Sequence, residues 1–271
     1  MTVLALLSPD GPRLVDPESP VLRADDLGVL RGESVFETAR IAAGRPAFLD
    51  AHLTRLARSA ARLDITLPPG WEELAAAAVE AYGESDGVLR LVCTKGGVGF
   101  ALVTPIPAET LRGREQGVTA ITVTLGVTAD IRARSPWLLG GVKSTSYAIN
   151  MATLRHAHDE GADDAIWLST DGQVLEAPTA TVAWVAKGRL VTPPVELGIL
   201  PGTTLDVVLG LSEVPCDVRR GTAAELAAAD EIMLLSSVRG VAPVVELDGR
   251  ELGTGPVTAA LREAFEVALL R

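Results

Sequence analysis

Lysine is the rare cation of this sequence, and one lysine has a setting suited to covalent chemistry. Of the 24 lysine and arginine residues, three are lysines: Lys95, Lys143 and Lys187. Lys187 lies in a polar turn between two predicted strands, so we expect a solvated turn residue. Lys143 follows two glycines and precedes a predicted helix, whose positive end disfavours the charged form of a nearby amine. Because neutral lysine amines form Schiff bases with carbonyl compounds, a covalent role is predicted for Lys143.

Two later segments could bind charged groups of a ligand. Glu176 interrupts an apolar stretch at residues 174–178, and a buried carboxylate is costly unless it meets a cation or a hydrogen-bond donor. A structural carboxylate at a strand bulge is the alternative. Residues 199–204 lead through Pro and Gly into two threonines that begin a predicted helix, which is the chemistry of an anion site. Threonine is also an ordinary helix cap, so this pattern remains open.

Three more polar residues stand where a ligand could reach them. Arg55 lies between Leu53 and Leu56 on a predicted helix, and it is either a solvated arginine or a ligand-binding one. Ser237 follows the apolar strand 231–235, and Lys95 ends another apolar strand before two glycines. Ligand pockets often form at the ends of strands, so both residues are candidates for a site, although serines there are also common turn formers.

The hydrophobic pattern predicts mixed helices and strands in two domains. An N-terminal domain is expected at 1–120, an interdomain linker at 121–136 and a C-terminal domain at 137–271. Helices are predicted at 50–63 with Asp50 as the cap, 71–82, from after Ser144-Thr145 to about 160, after 204, after Thr222 and at 256–270. Strands are predicted at 1–7, 35–48 with a turn at 44–46, 88–94, 118–127, 164–170, 174–175, 179–186, 190–192, 214–218, 231–235 and 241–246.

Composition narrows the class of protein. The chain has 271 residues, 48% of them hydrophobic, a net charge of −11 and two cysteines. The apolar fraction predicts a globular core, and the negative charge disfavours nucleic acid and anionic lipid as partners. Two cysteines are too few for a disulfide framework, which suggests a reducing compartment, and we expect a cytoplasmic protein. The pair of histidines at 156 and 158 diverges around a helix, so no metal site is expected.

Six motifs together resemble the fold-type IV pyridoxal phosphate enzymes, a family that includes branched-chain aminotransferases, D-amino-acid aminotransferases and 4-amino-4-deoxychorismate lyases. The resemblance covers nearly the whole chain, and the order and spacing of the motifs make it specific. They are GESVFETAR at 32–40, HLTRL at 52–56, KSTSY at 143–147, GQVLEA at 172–177, LVTPP at 190–194 and ILPGTT at 199–204.

The resemblance implies a fold, a cofactor and a set of site residues. The implied fold is α+β, of the D-amino-acid aminotransferase type. It has a smaller N-terminal and a larger, cofactor-binding C-terminal α/β domain, with pyridoxal 5'-phosphate in the interdomain cleft, usually in a homodimer. Lys143 would form the Schiff base with the cofactor, and Glu176 would bind its pyridine nitrogen. The phosphate would be held by Arg55, Thr203, Thr204 and Ser237. Tyr147 would approach the ring hydroxyl of the cofactor.

The motif around Thr38 bears on the reaction. The lyases tend to carry Thr-Ala-Arg where this chain has residues 38–40, which favours 4-amino-4-deoxychorismate lyase, with Thr38 as proton donor and with Arg90 and Lys95 as substrate contacts. Against the lyase, Ser146 replaces the usual asparagine. The alternatives are an aminotransferase acting on D- or branched-chain amino acids and, from another class, a cofactor-free small-molecule binding protein, whose sign would be a colourless preparation.

Overall fold

The computed structural model describes residues 1–270, which divide into two compact units. The first unit holds Met1–Pro107, Val142–Tyr147 and the chain from Leu269, and the second holds Ala108–Gly141 and Ala148–Ala268. These bounds differ from the predicted domain bounds of 120 and 136. The segment 108–120 folds with the second unit, while 142–147 folds with the first because its backbone pairs with a strand there.

The first unit is built on a six-stranded antiparallel sheet in the order β2-β1-β6-β5-β3-β4. Its strands are β1 (Val3–Ser8), β2 (Gly11–Val15), β3 (Ser34–Ala42), β4 (Arg45–Pro46), β5 (Gly87–Thr94) and β6 (Gly99–Thr104). Its helices are α1 (Leu27–Leu30), α2 (Leu49–Arg62) and α3 (Trp71–Tyr82). The predicted helix at 71–82 and the predicted strand at 88–94 are therefore confirmed within one residue.

Alternation along β3 divides its side chains between the two faces of the sheet. Val35, Ala39 and Ile41 are buried in one hydrophobic core with Leu56 of α2 and Leu74 of α3. Side chains at the even-numbered positions point to the opposite face, because successive strand residues alternate. The prediction of Asp50 as the cap of α2 is wrong. Phe48 occupies the cap position in a left-handed conformation, and Asp50 lies within the first helical turn.

The second unit is built on an eight-stranded mixed sheet in the order β11-β10-β9-β12-β13-β7-β8, with β14 paired to β13. The strands are β7 (Val118–Thr124), β8 (Asp164–Leu168), β9 (Thr181–Ala186), β10 (Arg189–Thr192), β11 (Cys216–Val218), β12 (Glu231–Ser236), β13 (Gly240–Leu247) and β14 (Arg250–Glu251). The helices are α4 (Ala108–Gln116), α5 (Ile131–Arg134), α6 (Ala148–Asp159), α7 (Thr203–Leu211), α8 (Ala223–Ala227) and α9 (Pro256–Ala268). Trp184, Ile232 and Leu234 are among the fully buried residues of its core.

Local capping signals predicted some helix starts well and others poorly. The Thr222 hydroxyl accepts a hydrogen bond from the Glu225 N–H, as the capping box predicts. By contrast, α6 begins at Ala148 and not directly after Thr145, where the sequence predicts its start. Within residues 1–270, no helix combines the length and the apolar character needed to cross a bilayer.

Candidate active site

Lys143 lies in an extended segment that adds to the edge of β3. The Phe36 N–H donates to the Lys143 carbonyl (3.1 Å), and the Thr145 N–H donates to the Ser34 carbonyl (2.9 Å). The Lys143 N–H in turn donates to the Ser59 hydroxyl of α2 (3.1 Å). These bonds hold the lysine backbone in a strand-like conformation, with the first turn of α6 five residues later. The helix-dipole argument for a neutral amine is therefore wrong, since the dipole effect is confined to the first turn.

The side chain of Lys143 is 9% exposed and lies against two aromatic rings. Its Nζ is 3.4 Å from the Tyr147 hydroxyl and 4.4 Å from the centre of the Phe36 ring. The two rings pack edge to face with their centres 5.1 Å apart. This environment excludes much of the solvent from the amine and fixes its direction, which suits a nucleophile or a base.

A buried carboxylate holds the predicted phosphate ligand Arg55. Glu37 lies on the same face of β3 as Val35 and Ala39, the face that packs against α2. Its two carboxylate oxygens each lie 2.7 Å from a nitrogen of Arg55. His52 Nδ1 is 2.7 Å from one of the same oxygens. Burial alone would raise the pKa of Glu37, but the hydrogen bonds and charges of Arg55 and His52 outweigh it and lower the pKa to about 2. Sequence reasoning missed Glu37 and His52, although a glutamate at a core position of a strand was a usable signal.

The predicted proton donor Thr38 and the predicted substrate contact Arg90 share the face of the sheet that carries Phe36. Thr38 is two residues from Phe36 on β3, which corresponds to roughly 7 Å along the strand. In the register of the sheet Thr38 stands opposite Arg90 of β5. Within the described chain, the Thr38 hydroxyl makes no hydrogen bond and Arg90 is exposed. Both side chains are therefore available to a small molecule near Phe36.

Lys95 has a structural contact that sequence reasoning did not foresee. Its Nζ donates to the Leu63 carbonyl (2.9 Å) and to the Asp64 carbonyl, and it lies 3.5 Å from the Asp64 carboxylate. These carbonyls end α2, where a cation is favoured by the helix dipole. The amine therefore stabilises the end of α2, and the role of Lys95 as a substrate contact stays a prediction.

In the second unit, Glu176 is 7% exposed and already has two donors. Arg132 of α5 donates to its Oε1 (2.9 Å), and the Leu200 N–H donates to its Oε2 (2.9 Å). A carboxylate can accept about four hydrogen bonds, so capacity remains for a further donor. The sequence pattern did not indicate Arg132, which is 44 residues away in the chain.

The first turn of α7 has the features expected of an anion site. Thr203 and Thr204 are buried, and no side chain caps this helix, whose cap residue is Gly202. A Cβ at Gly202 would overlap the Thr181 hydroxyl, so only glycine fits there without movement. The N–H groups of a first turn carry the positive end of the helix dipole and bind phosphate well.

Ser237 lies in the turn that follows β12. Arg114 donates to the Val238 carbonyl of this turn, and Arg239 forms an ion pair of 2.7 Å with buried Asp164. These contacts fix the backbone next to Ser237. The Ser237 hydroxyl therefore stands on a turn whose neighbouring residues are held by hydrogen bonds and an ion pair.

The chemistry of these groups defines the class of the protein. The first unit supplies a buried lysine amine beside a phenol and a buried guanidinium. The second supplies a buried carboxylate with spare capacity and a helix start suited to phosphate. Within each unit, these groups have the chemistry that an aldehyde, a phosphate or a pyridine nitrogen requires. Those are the functional groups of pyridoxal 5'-phosphate, so the class indicated is an enzyme that uses this cofactor.

Comparison with known proteins supports the same class. The family model for amino-transferase class IV matches residues 34–247. A bifunctional aminodeoxychorismate lyase / D-amino acid transaminase from Mycobacterium tuberculosis is 37% identical over 95% of this chain and 96% of its own. A D-alanine aminotransferase from Bacillus licheniformis is 31% identical over 95% of both chains. The chain belongs to the amino-transferase class IV family.

Solved structures agree with this assignment. The pyridoxal phosphate-bound form of a hypothetical aminotransferase from M. tuberculosis has a TM-score of 0.93 and 37% identity, covering 99% of both chains. A fold IV-transaminase from Curtobacterium pusillum has a TM-score of 0.91 and 37% identity, covering both chains fully. The chain is thus a fold-type IV α+β enzyme dependent on pyridoxal 5'-phosphate, and the cofactor-free alternative is excluded.

Proposed function

We propose that this chain is a 4-amino-4-deoxychorismate lyase, which releases p-aminobenzoate and pyruvate for folate precursor synthesis. The observation that carries this proposal is the pairing of Thr38 with Arg90 on the face of the sheet where the Phe36 ring contacts the Lys143 amine. A hydroxyl and a guanidinium in that place suit a substrate that has a departing oxygen and two carboxylates. The name of the M. tuberculosis relative, which includes this lyase, supports the same reaction.

The cofactor contacts follow from the donors described above. Lys143 would bind the cofactor aldehyde covalently, Tyr147 would approach the ring hydroxyl, and Glu176 would bind the pyridine nitrogen. The phosphate ligands would be Arg55, Thr203, Thr204 and Ser237. When bound, pyridoxal 5'-phosphate supplies an electron-accepting ring that stabilises negative charge on the carbon next to a substrate amine.

The residues of the chain then perform acid–base chemistry. The Lys143 amine takes the proton from the ring carbon that bears the substrate amine. This amine suits the role because it is buried and its direction is fixed by Phe36 and Tyr147. The Thr38 hydroxyl donates a proton to the departing enolpyruvyl group. Arg90 binds a substrate carboxylate and so orients the ring for both transfers.

A second candidate function is amino transfer to keto acids, with D- or branched-chain amino acids as donors. The name of the M. tuberculosis relative includes D-amino acid transaminase, and that of the B. licheniformis relative is D-alanine aminotransferase. The same lysine would take the proton from the α-carbon of the amino acid. The two reactions share every cofactor ligand, so one protein could carry out both.

Paired assays separate these functions. Purified protein would be tested for p-aminobenzoate release from 4-amino-4-deoxychorismate and for keto-acid-dependent amino transfer, with Lys143→Ala as the inactive control. We expect lyase activity to dominate. Amino transfer without p-aminobenzoate release would refute the lyase. Hydride reduction followed by peptide mapping should find the cofactor on Lys143, and an unmodified Lys143 peptide would refute the covalent role.

We also propose that the enzyme is a homodimer in the reducing environment of the cytoplasm. The support is the family resemblance together with the low cysteine content. Light scattering tests the oligomeric state directly.

A further inference from the structure

The proposed chemistry does not use Arg132, although its guanidinium is the charged group that contacts the Glu176 carboxylate. Its guanidinium donates to Glu176 Oε1 at 2.9 Å, and the side chains of the pair are 19% and 9% exposed. The opposite oxygen accepts the Leu200 N–H at 2.9 Å. The terminal torsion of a glutamate side chain is normally broad. Two donors on different oxygens remove that freedom and set the plane of the carboxylate.

The backbone that carries Glu176 is fixed as well. Its carbonyl accepts a hydrogen bond from the Trp167 N–H of β8 (2.8 Å), and the neighbouring Leu175 N–H donates to the Trp167 carbonyl (2.9 Å). With the main chain held by a strand, the position of the carboxylate depends on the two donors that contact it, the Arg132 guanidinium and the Leu200 N–H. Of these, Arg132 is the one that brings a full charge.

Two glycines set the place of Arg132. A Cβ at Gly198 would lie 2.7 Å from the Arg132 Cβ and 2.8 Å from the Ala133 nitrogen. A Cβ at Gly140 would lie 2.8 Å from the Arg132 carbonyl oxygen. Real Cβ atoms do not approach other atoms this closely, so α5 packs where only glycine leaves room. This close packing is an observation independent of the ion pair, and it indicates that the position of Arg132 is built into the second unit.

Arg134, also on α5, forms an ordinary ion pair at the surface. Arg134 pairs with Asp130 four residues earlier at 2.7 Å, and its side chain is 70% exposed. Exposed pairs of this kind contribute little. Arg134 is therefore a matched control for Arg132 on the same short helix.

We propose that Arg132 is a positioning residue for the cofactor: it balances the charge of Glu176 and orients its carboxylate so that the remaining lone pairs face the pyridine nitrogen. This inference rests on the proposed role of Glu176. Arg132 does not touch the cofactor, and it acts through Glu176 alone.

A double-mutant cycle on cofactor affinity tests the inference. Apoenzymes of wild type, Arg132→Gln, Glu176→Gln and the double variant would be titrated with pyridoxal 5'-phosphate and followed by visible absorbance. We expect Arg132→Gln to weaken binding about tenfold or more, as for the loss of a charge-assisted hydrogen bond. The double variant should bind within about twofold of Glu176→Gln, because a residue acting through another adds nothing once that partner is gone. Arg134→Gln should bind like wild type.

The outcomes separate the inference from the proposed function. Wild-type affinity in Glu176→Gln would refute the role of Glu176 itself. Weak binding in Glu176→Gln beside unchanged binding in Arg132→Gln would overturn only the inference, as would fully multiplicative losses in the double variant. A merely structural ion pair would lower the urea midpoint of the Arg132→Gln apoenzyme without changing its affinity for the cofactor.

Arg132→Lys serves in the same cycle if Arg132→Gln does not fold. It keeps a cation but loses the planar guanidinium, so its geometry is poorer. We expect affinity to fall about threefold in the wild-type background and not at all in the Glu176→Gln background. A loss of equal size in both backgrounds would contradict the positioning role.

Discussion

The Glu37 carboxylate couples the stability of the first unit to pH. Its pKa falls from the ordinary value of 4.5 to about 2 because the hydrogen bonds and charges of Arg55 and His52 outweigh the cost of burial. A lowered carboxylate pKa stabilises the folded state above the ordinary value, and this contribution is lost as the pH falls through the folded value. The shift corresponds to about 3 kcal/mol. The contribution of Glu37 to the free energy of unfolding is therefore lost as the pH falls from 4.5 to about 2.

Replacing Glu37 tests this coupling. We expect Glu37→Gln to lower the free energy of unfolding at pH 7 by about 3 kcal/mol or more, since it leaves Arg55 buried beside a neutral partner. The difference from wild type should shrink as the pH falls from 4.5 toward 2. Urea unfolding of the cofactor-free proteins at several pH values measures it, with exposed Glu80→Gln as the control. A constant difference across this range would contradict the assignment.

Thr38 is the residue whose loss should separate chemistry from cofactor binding. Thr38→Val removes the hydroxyl with little change in shape, and we expect lyase kcat to fall about 10²- to 10⁴-fold, the usual contribution of a general acid. The visible absorbance of the bound cofactor should not change. Thr38→Ser keeps a hydroxyl and should retain most of the activity. Full activity in Thr38→Val would show that another group protonates the departing enolpyruvate.

The sequence indicated candidate site residues where their types were unusual in their surroundings. Lys143 stood out because lysine is rare in this chain, and Glu176 because it interrupts an apolar stretch. Their partners did not stand out. Arg132 is one of many arginines, and its contact with Glu176 spans 44 residues. Contacts of this length depend on the tertiary fold, so local patterns carry no signal for them.

Gly202, at the start of α7, combines close packing of the backbone with a place in the proposed phosphate site. Because a Cβ there would overlap the Thr181 hydroxyl, we expect Gly202→Ala to displace the first turn of the helix and weaken cofactor binding about tenfold, the loss expected for about one phosphate hydrogen bond. Gly210→Ala in the same helix meets no atom within 4 Å and should stabilise the protein by about 1 kcal/mol. Titration with the cofactor and thermal unfolding of both variants measure these effects. Equal affinities in the two variants would remove the α7 start from the phosphate site.

Helix and strand predictions succeeded where short-range signals decide the structure. The helix α3 follows a Pro-Pro-Gly segment and ends at Tyr82, with Gly83 as its cap residue, and both ends were predicted. The start of α6 was predicted too early because residues 143–145 pair with β3, more than 100 positions earlier. Their local pattern of small and polar residues suits a helix start equally well, so only the tertiary partner decides between the two.

The net charge of the whole chain bears on the proposed homodimer. Each chain carries −11, so two copies repel each other, and association would depend on apolar contacts. Salt screens this repulsion, since the Debye length falls from about 30 Å at 0.01 M to about 10 Å at 0.1 M ionic strength. We therefore expect light scattering to give about twice 28.3 kDa at micromolar concentration in 0.1 M salt. Dilution should dissociate the dimer more readily in 0.01 M salt, and a monomeric mass under every condition would refute the homodimer.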